Sequence, residues 1–276
     1  MRGALVQLTS GDDPEANLIE TQALIAQAAE GGAGFILTPE VTNCVSSSRE
    51  RQLNVLRHEA DDPTLAALRA QAGALGVWLL IGSLALKTDD ADGRFANRSF
   101  MINPQGDIVA WYDKIHMFDV QVTKQETYRE SAGYRPGDRA VVAQTDFGLV
   151  GMTICYDIRF PHLFQKLVQS GARILTVPAA FSPVTGAAHW EALLRARAIE
   201  NGCYVLAPAQ TGEHPNTDGR KRRTYGHSMV ISPWGEVLVD GGTERGIHFF
   251  DLDDTSIEDA RHKVPSLTHV RPFKDP

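Results

Sequence analysis

Short apolar runs alternate with amphipathic stretches along the whole of this chain. The runs, among them Phe35-Ile-Leu, Gly76-Val-Trp-Leu-Leu-Ile81, Leu175-Thr-Val and Gly202-Cys-Tyr-Val-Leu-Ala207, have strand length and are bounded by Gly or Pro. Between them apolar residues recur at helical spacing over 17–30, 63–75, 160–170 and 189–201. Pro63 and Pro161 suit a first helical turn, and Gly31, Gly76, Gly171 and Gly202 stand where each helix should stop.

The pattern also repeats. Ser99-Phe-Met-Ile-Asn-Pro-Gln-Gly-Asp-Ile-Val109 matches Ser228-Met-Val-Ile-Ser-Pro-Trp-Gly-Glu-Val-Leu238 position by position, 129 residues later. Each reads as a hairpin that turns on Pro-x-Gly. The run 76–81 precedes the first hairpin as 202–207 precedes the second, and Ile36-Leu-Thr-Pro39 echoes Leu175-Thr-Val-Pro178. The chain therefore reads as two similar α/β halves. Two sheets packed face to face, with helices on both outer surfaces, bury such strands and leave a cleft at the strand ends.

No Pro, Gly and Ser linker divides the halves, so 1–255 is expected to form one domain. Residues 256–276, polar with scattered prolines, read as a tail docked on a partner subunit. Segments 87–94 and 212–223 read as solvated loops, and 120–139 is long enough to be a lid or rim.

Composition narrows the partners. A hydrophobic content of 43% suffices for a large core, while a net charge of −7 disfavours nucleic acid and anionic membranes, both of which need a positive field. The expected partner is a small molecule. Three cysteines do not make a disulfide framework, the N-terminal apolar run is too short for a signal peptide, and no run reaches transmembrane length, so a cytoplasmic location is expected. No His-Glu-x-x-His, Cys-x-x-Cys or Gly-x-Gly-x-x-Gly occurs in a fitting context, so neither a metal nor another cofactor is expected.

Chemistry gathers at three strand exits. The segment Gly151-Met-Thr-Ile-Cys155 runs an apolar stretch into a thiol, Phe35-Ile-Leu-Thr-Pro-Glu40 ends on a carboxylate, and Lys114 sits in the otherwise apolar run 108–118. Each has an ordinary alternative: a buried small hydrophobe for Cys155, a surface carboxylate for Glu40, an aggregation-blocking edge lysine for Lys114. Together they are the groups that acyl transfer from an amide or nitrile requires: a nucleophile, a base and a cation for the oxyanion. His116, read as lying on the same strand face as Lys114, is the one candidate for a Cys-His dyad. Cys44 and Cys203 read as structural. The basic cluster Gly219-Arg-Lys-Arg-Arg223 is either a solvated loop or a dock for substrate carboxylates. Glu191 with Arg195, and Arg197 with Glu200, have the spacing of structural helix pairs.

These strings resemble the nitrilase (carbon-nitrogen hydrolase) superfamily over nearly the whole chain. Leu37-Thr-Pro-Glu40 is similar to its glutamate motif, Tyr112-Asp-Lys114-Ile-His116 to its lysine motif and Ile154-Cys155-Tyr-Asp-Ile-Arg-Phe-Pro161 to its nucleophile elbow. The resemblance implies a four-layer αββα sandwich, a Glu-Lys-Cys triad of Glu40, Lys114 and Cys155, a second glutamate at Glu130 that positions the site, and an oxyanion contact from the backbone of Tyr156. It puts Phe118, Phe181, Thr185 and His189 at the substrate. Tyr156-Asp157 and then Arg-Phe-Pro after the cysteine, the run Phe181 to Glu191, and Tyr225-Gly-His-Ser-Met229 resemble the Nit branch of amidases. Leu-Arg-Ala-Arg-Ala followed by Cys203-Tyr-Val leans towards members that cleave deaminated glutathione over ω-amidases. The extra residues around 212–221 depart from the pattern. A homodimer, or a higher homo-oligomer, is implied as well.

Overall fold

A computed structural model of the chain describes residues 1–124, 126–217 and 222–274. The first half runs β1 (Arg2–Gln7), α1 (Pro14–Glu30), β2 (Phe35–Leu37), α2 (Arg49–Val55), α3 (Pro63–Leu75) and β3 (Trp78–Leu86), then the hairpin of β4 (Ala96–Ile102) and β5 (Ile108–Asp113). A small hairpin, β6 (Asp119–Gln121) with β7 (Thr127–Arg129), leads into β8 (Val141–Thr145), β9 (Gly148–Met152), α4 (Pro161–Gln169), β10 (Ile174–Thr176), α5 (Pro183–Asn201) and β11 (Tyr204–Ala207). A second, β12 (Thr211–His214) with β13 (Arg222–Tyr225), precedes β14 (Met229–Ile231), β15 (Val237–Asp240), β16 (Gly246–Asp251) and α6 (Asp254–Lys263).

The two large sheets carry the repeat strand for strand. One has the order β16-β1-β2-β3-β4-β5 and the other, read from its opposite end, β8-β9-β10-β11-β14-β15. In each, an antiparallel edge strand is followed by three parallel strands and then an antiparallel hairpin. The hairpin irregularity corresponds too: the register shifts at Met101/Ile102 and again at Val230/Ile231.

Side-chain alternation explains the layers. Leu5, Leu37 and Leu80 point between the sheets and pack with Val150, Met152 and Ile174, whereas Ala4, Ile36, Leu79 and Ile81 point outward onto Ile25, Ala28, Leu65 and Leu68 of α1 and α3. On the other side Phe164, Leu167, Trp190 and Leu194 of α4 and α5 cover the second sheet. The architecture is the four-layer αββα sandwich.

Several boundaries differ from the sequence reading. Helix α1 starts at Pro14 because Asp13 caps it, its carboxylate accepting from the N–H groups of Glu15 and Ala16. Helix α5 starts at Pro183, six residues before 189, and its early turns hold a glycine where a Cβ at Gly186 would sit 2.3 Å from the Tyr225 ring. That close approach hides a helical turn behind a poor helix former. Segment 212–223 is not simply a solvated loop: β12 and β13 pair on either side of 218–221, which lie outside the described residues. The boundary drawn at 255/256 falls inside α6, which packs on this chain's own body through Ile257 and Ala260 and through Arg261, which donates to the carbonyls of Gly202 and Ala172. Among the described residues no helix is long and apolar enough to cross a membrane.

Candidate active site

Three loops at one end of the sandwich converge. After β2 the chain crosses the sheet end through Thr38, Pro39 and Glu40, packed so closely on β3 that a Cβ on Gly82 would stand 2.0 Å from the Thr38 carbonyl oxygen. Gly82 donates its N–H to Thr38 Oγ1 at 3.1 Å, and Ser83 Oγ accepts from the N–H of Val41 at 2.7 Å. Val41 has a φ of 48°, a left-handed conformation strongly disfavoured for a β-branched residue. The strain turns the preceding Glu40 inward, where it is 4% exposed.

Lys114 follows the last residue of β5 and is 2% exposed. Its Nζ donates to Glu40 Oε1 at 2.8 Å and to Glu130 Oε1 and Oε2 at 2.8 and 2.9 Å. Glu130 opens a short 3-10 turn after β7, and its Oε2 also accepts from the Phe118 N–H at 2.6 Å. Asn97, buried in β4, donates its Nδ2 to Glu40 Oε1 at 2.9 Å.

Cys155 begins a 3-10 helix (Cys155–Arg159) with a φ of 48°, the second strained non-glycine residue of the site. Its N–H donates to the Pro178 carbonyl at 2.9 Å, and the N–H of Tyr156, in the first turn of that helix, has no carbonyl within the helix to reach. Asp157, fully buried, ties this turn to the lysine loop. It accepts from the N–H of Ile154 at 2.8 Å, the Tyr112 hydroxyl at 2.7 Å and the His116 N–H at 3.1 Å. The His116 ring lies off the strand, 2.7 Å from Asp157 through Nδ1 and stacked on Phe160. It braces the loop; its ring is engaged with Asp157 rather than with Cys155, which removes the basis for a Cys-His dyad.

The protonation states follow from burial and neighbours. Burial alone would raise the Glu40 carboxyl, but the Lys114 ammonium and its hydrogen bond outweigh it and hold Glu40 below the usual carboxylate range. For Cys155, burial and then the adjacent Glu40 carboxylate push the thiol well above its ordinary value despite Lys114. Lys114, opposed by burial but favoured by Glu130 and Glu40, is held well above the usual ammonium range. The resting site is thus a thiol beside a carboxylate. Lys114 itself favours the thiolate, but burial and the Glu40 carboxylate outweigh it.

Glu40, Lys114, Cys155, Glu130 and Tyr156 all line one cavity of about 870 Å³, with Phe118 and Phe181 in its walls. The Phe118 ring stands edge-on to Tyr156 with centroids 5.0 Å apart. Thr185 and His189 do not line it: on α5 the His189 ring faces Arg159 at 3.2 Å on the exposed side, and the Thr185 hydroxyl is buried without a partner among the described residues. The cavity also draws in residues that sequence reasoning missed, Asn97, Tyr134, Glu126 and Arg49 among them. Only Asn97 left a trace, as an amide in an apolar strand. Cys44, despite its polar sequence context, is 1% exposed, and burial pushes its thiol to about 12, as it does that of Cys203.

A buried thiol beside an ionised carboxylate and an ammonium, at the strand ends of an αββα sandwich, defines a site for nucleophilic acyl transfer. Residues 2–262 match the family model described as carbon-nitrogen hydrolase, and the chain belongs to that family, whose members are enzymes that hydrolyse carbon–nitrogen bonds. A deaminated glutathione amidase from Yersinia enterocolitica is 40% identical over 269 residues, 97% of this chain and 92% of that protein. The NitFhit protein of C. elegans superposes with a TM-score of 0.90 at 34% identity, covering 98% of this chain, which spans 65% of the NitFhit length. A variant of the amidase from Nesterenkonia sp. AN1, in which acrylamide has added to the active-site cysteine, superposes at 0.77 with 26% identity, over 96% and 98% of the two chains.

Proposed function

We propose that this protein is an amidase that cleaves deaminated glutathione to 2-oxoglutarate and cysteinylglycine through a thioester on Cys155. The observation that carries the reading is the meeting of the buried Cys155 thiol, Glu40 and Lys114 in one cavity, with Lys114 Nζ 2.8 Å from Glu40 Oε1. The similarity to deaminated glutathione amidases supports the substrate, as does the cavity, whose volume of about 870 Å³ is generous for 2-oxoglutaramate, the small ω-amide alternative, and suits a tripeptide-sized one.

Glu40 takes the thiol proton as Sγ attacks the amide carbon, so charge moves from the carboxylate to the developing oxyanion. Lys114 receives it. An ammonium has three donors; with one given to Glu40 and one shared by the two Glu130 oxygens, the third is left for the oxyanion, beside the Tyr156 N–H. The tetrahedral adduct collapses as Glu40 returns its proton to the leaving nitrogen. A water, deprotonated by Glu40, then attacks the thioester, and the expelled sulfur recovers the proton from Glu40. Glu130 holds Lys114 on station throughout. Phe118 and Phe181 pack against the acyl chain, while Thr185 and His189, off the cavity, have no contact role in this scheme.

The test is release of 2-oxoglutarate from deaminated glutathione and from 2-oxoglutaramate under matched conditions. A kcat/KM at least about tenfold higher for deaminated glutathione is expected, since the larger substrate has more contacts to strengthen in the transition state. A preference for the ω-amide, or turnover of neither, overturns the reading. The three free thiols Cys44, Cys155 and Cys203 support a cytoplasmic enzyme. The exposed apolar side chains Val264, Val270 and Phe273, the last 90% exposed, support a homodimer in which the chain end covers its partner. Sedimentation at micromolar concentration should give twice the chain mass; a monomer there rules the dimer out.

A further inference from the structure

The cavity around Cys155 is positive although the chain as a whole stands at −7. Its described lining carries Arg49, Lys114, Arg129, Arg222 and Arg223 against only Glu40, Glu126 and Glu130. Most of these charges are already occupied. Lys114 serves Glu40 and Glu130; Arg49 donates to the carbonyls of Gly133 and Gly93 and lies over the Phe95 ring. Glu126 accepts from the Tyr128 and Ser182 hydroxyls, each at 2.7 Å.

Arg222 is different. It stands on β13 opposite His214, half-buried in the cavity wall, and among the described residues its guanidinium has neither an ion-pair nor a hydrogen-bond partner. Its charge is felt across the wall: after burial, it is the next cause that keeps His214 down at about 4, and it acts on Cys44, Tyr128 and Tyr134 as well. A guanidinium half withdrawn from water without a counter-charge is unfavourable unless a ligand supplies one. Arg223 follows it at the exposed mouth, so an anion entering the cavity meets two planar forks in succession.

We infer that Arg222 receives a carboxylate of the substrate remote from the scissile carbonyl, which makes the enzyme selective for anionic amides. The inference rests on the amidase reading and deepens it, because deaminated glutathione carries two carboxylates. Of the basic cluster 219–223, residues 219–221 lie outside the described residues, and it is Arg222 and Arg223 that reach the cavity.

Two matched pairs of substrates test it: deaminated glutathione against its glycine-carboxamide analogue, and succinamate against butyramide. In the wild-type enzyme the anionic member of a pair is favoured. In Arg222→Gln the ratio of anionic to less charged kcat/KM falls about 10- to 100-fold, mainly through KM, as expected for loss of a charge-assisted hydrogen bond. Arg222→Lys restores part of the ratio, since the charge returns but the fork does not. A merely structural role lowers both members alike and leaves the ratio intact, which overturns the inference, as does a wild-type enzyme indifferent to charge. Turnover of succinamate with an Arg222-dependent ratio, but none of deaminated glutathione, removes the glutathione reading and leaves this inference standing.

Discussion

Cys155→Ala protein should release no 2-oxoglutarate above the uncatalysed rate, a fall in kcat of about 10⁴ or more, because nothing else in the cavity can form the acyl-enzyme. Cys44 also lines the cavity, but burial, and after it the Asp12 carboxylate, pushes its thiol to about 12. Glu40→Gln should come close to the same loss while keeping the nucleophile. Its wild-type counterpart fixes the pH dependence. Glu40 is held below the usual carboxylate range and must be ionised to act, so activity is present above that depressed value and is lost as pH falls through it. The thiol and the ammonium are both held above their ordinary ranges, so the alkaline limb moves up. The kcat/KM profile should stay level from about pH 5 to about pH 9. An acid limb near neutrality would mean that Glu40 rests protonated, and the proposed proton route would then be wrong. The measurement is a full pH–rate profile for wild type with Cys155→Ala as blank.

What the sequence disclosed and what it hid divide along contact range. The hairpins at 99–109 and 228–238 are local, so turn chemistry and alternation gave both away, and their 129-residue offset extended even to the paired register shifts. Glu40 and Cys155 were visible because each ends an apolar run, and Lys114 because it interrupts one. Their meeting was inferred from chemistry and from resemblance, since the Lys114 to Glu40 contact spans 74 residues and leaves no local trace. The edge strand β16 completes its sheet only because the fold joins the end of the chain to its beginning, Arg2 pairing with Asp251, whereas β8 pairs with its chain neighbour β9. Helix α2 was missed for a different reason: it is a single short element, capped by Ser48, whose buried face is little more than Gln52. Thr185 and His189 were placed by motif without a phase. Once α5 starts at Pro183, Gly186, Trp190 and Leu194 take its inner stripe and turn His189 away. The two expected helix pairs did form, Glu191 with Arg195 at 3.0 Å and Arg197 with Glu200 at 2.6 Å, because such pairs depend on nothing beyond helical spacing.

Removing the ammonium tests whether Lys114 is also the keystone of the folded site. In Lys114→Met the carboxylates of Glu40 and Glu130, both accepting from the same Nζ in the wild type, are left facing each other with no cation between them. Breaking a buried ion pair from one side costs about 3–5 kcal/mol, more than the intact pair contributes, because the remaining charge stays desolvated. Urea unfolding at pH 7 should show a loss of that order alongside the loss of turnover. The pH dependence should invert. In wild type the depressed Glu40 contributes stability that is present above its unfolded value and lost as pH falls through the folded one. Without Lys114 the Glu40 carboxyl is raised by burial and by the carboxylate facing it, so its unfavourable contribution fades as pH falls and it protonates. The stability gap between variant and wild type should therefore narrow on moving from pH 7 to about pH 5. Lys114→Met/Glu130→Gln should recover much of the stability at pH 7, since one carboxylate is gone, yet remain inactive for want of a cation at the oxyanion. A gap that is the same at both pH values, or a double variant no more stable than the single one, would locate the loss in the packing of the lysine stem and not in the two buried charges.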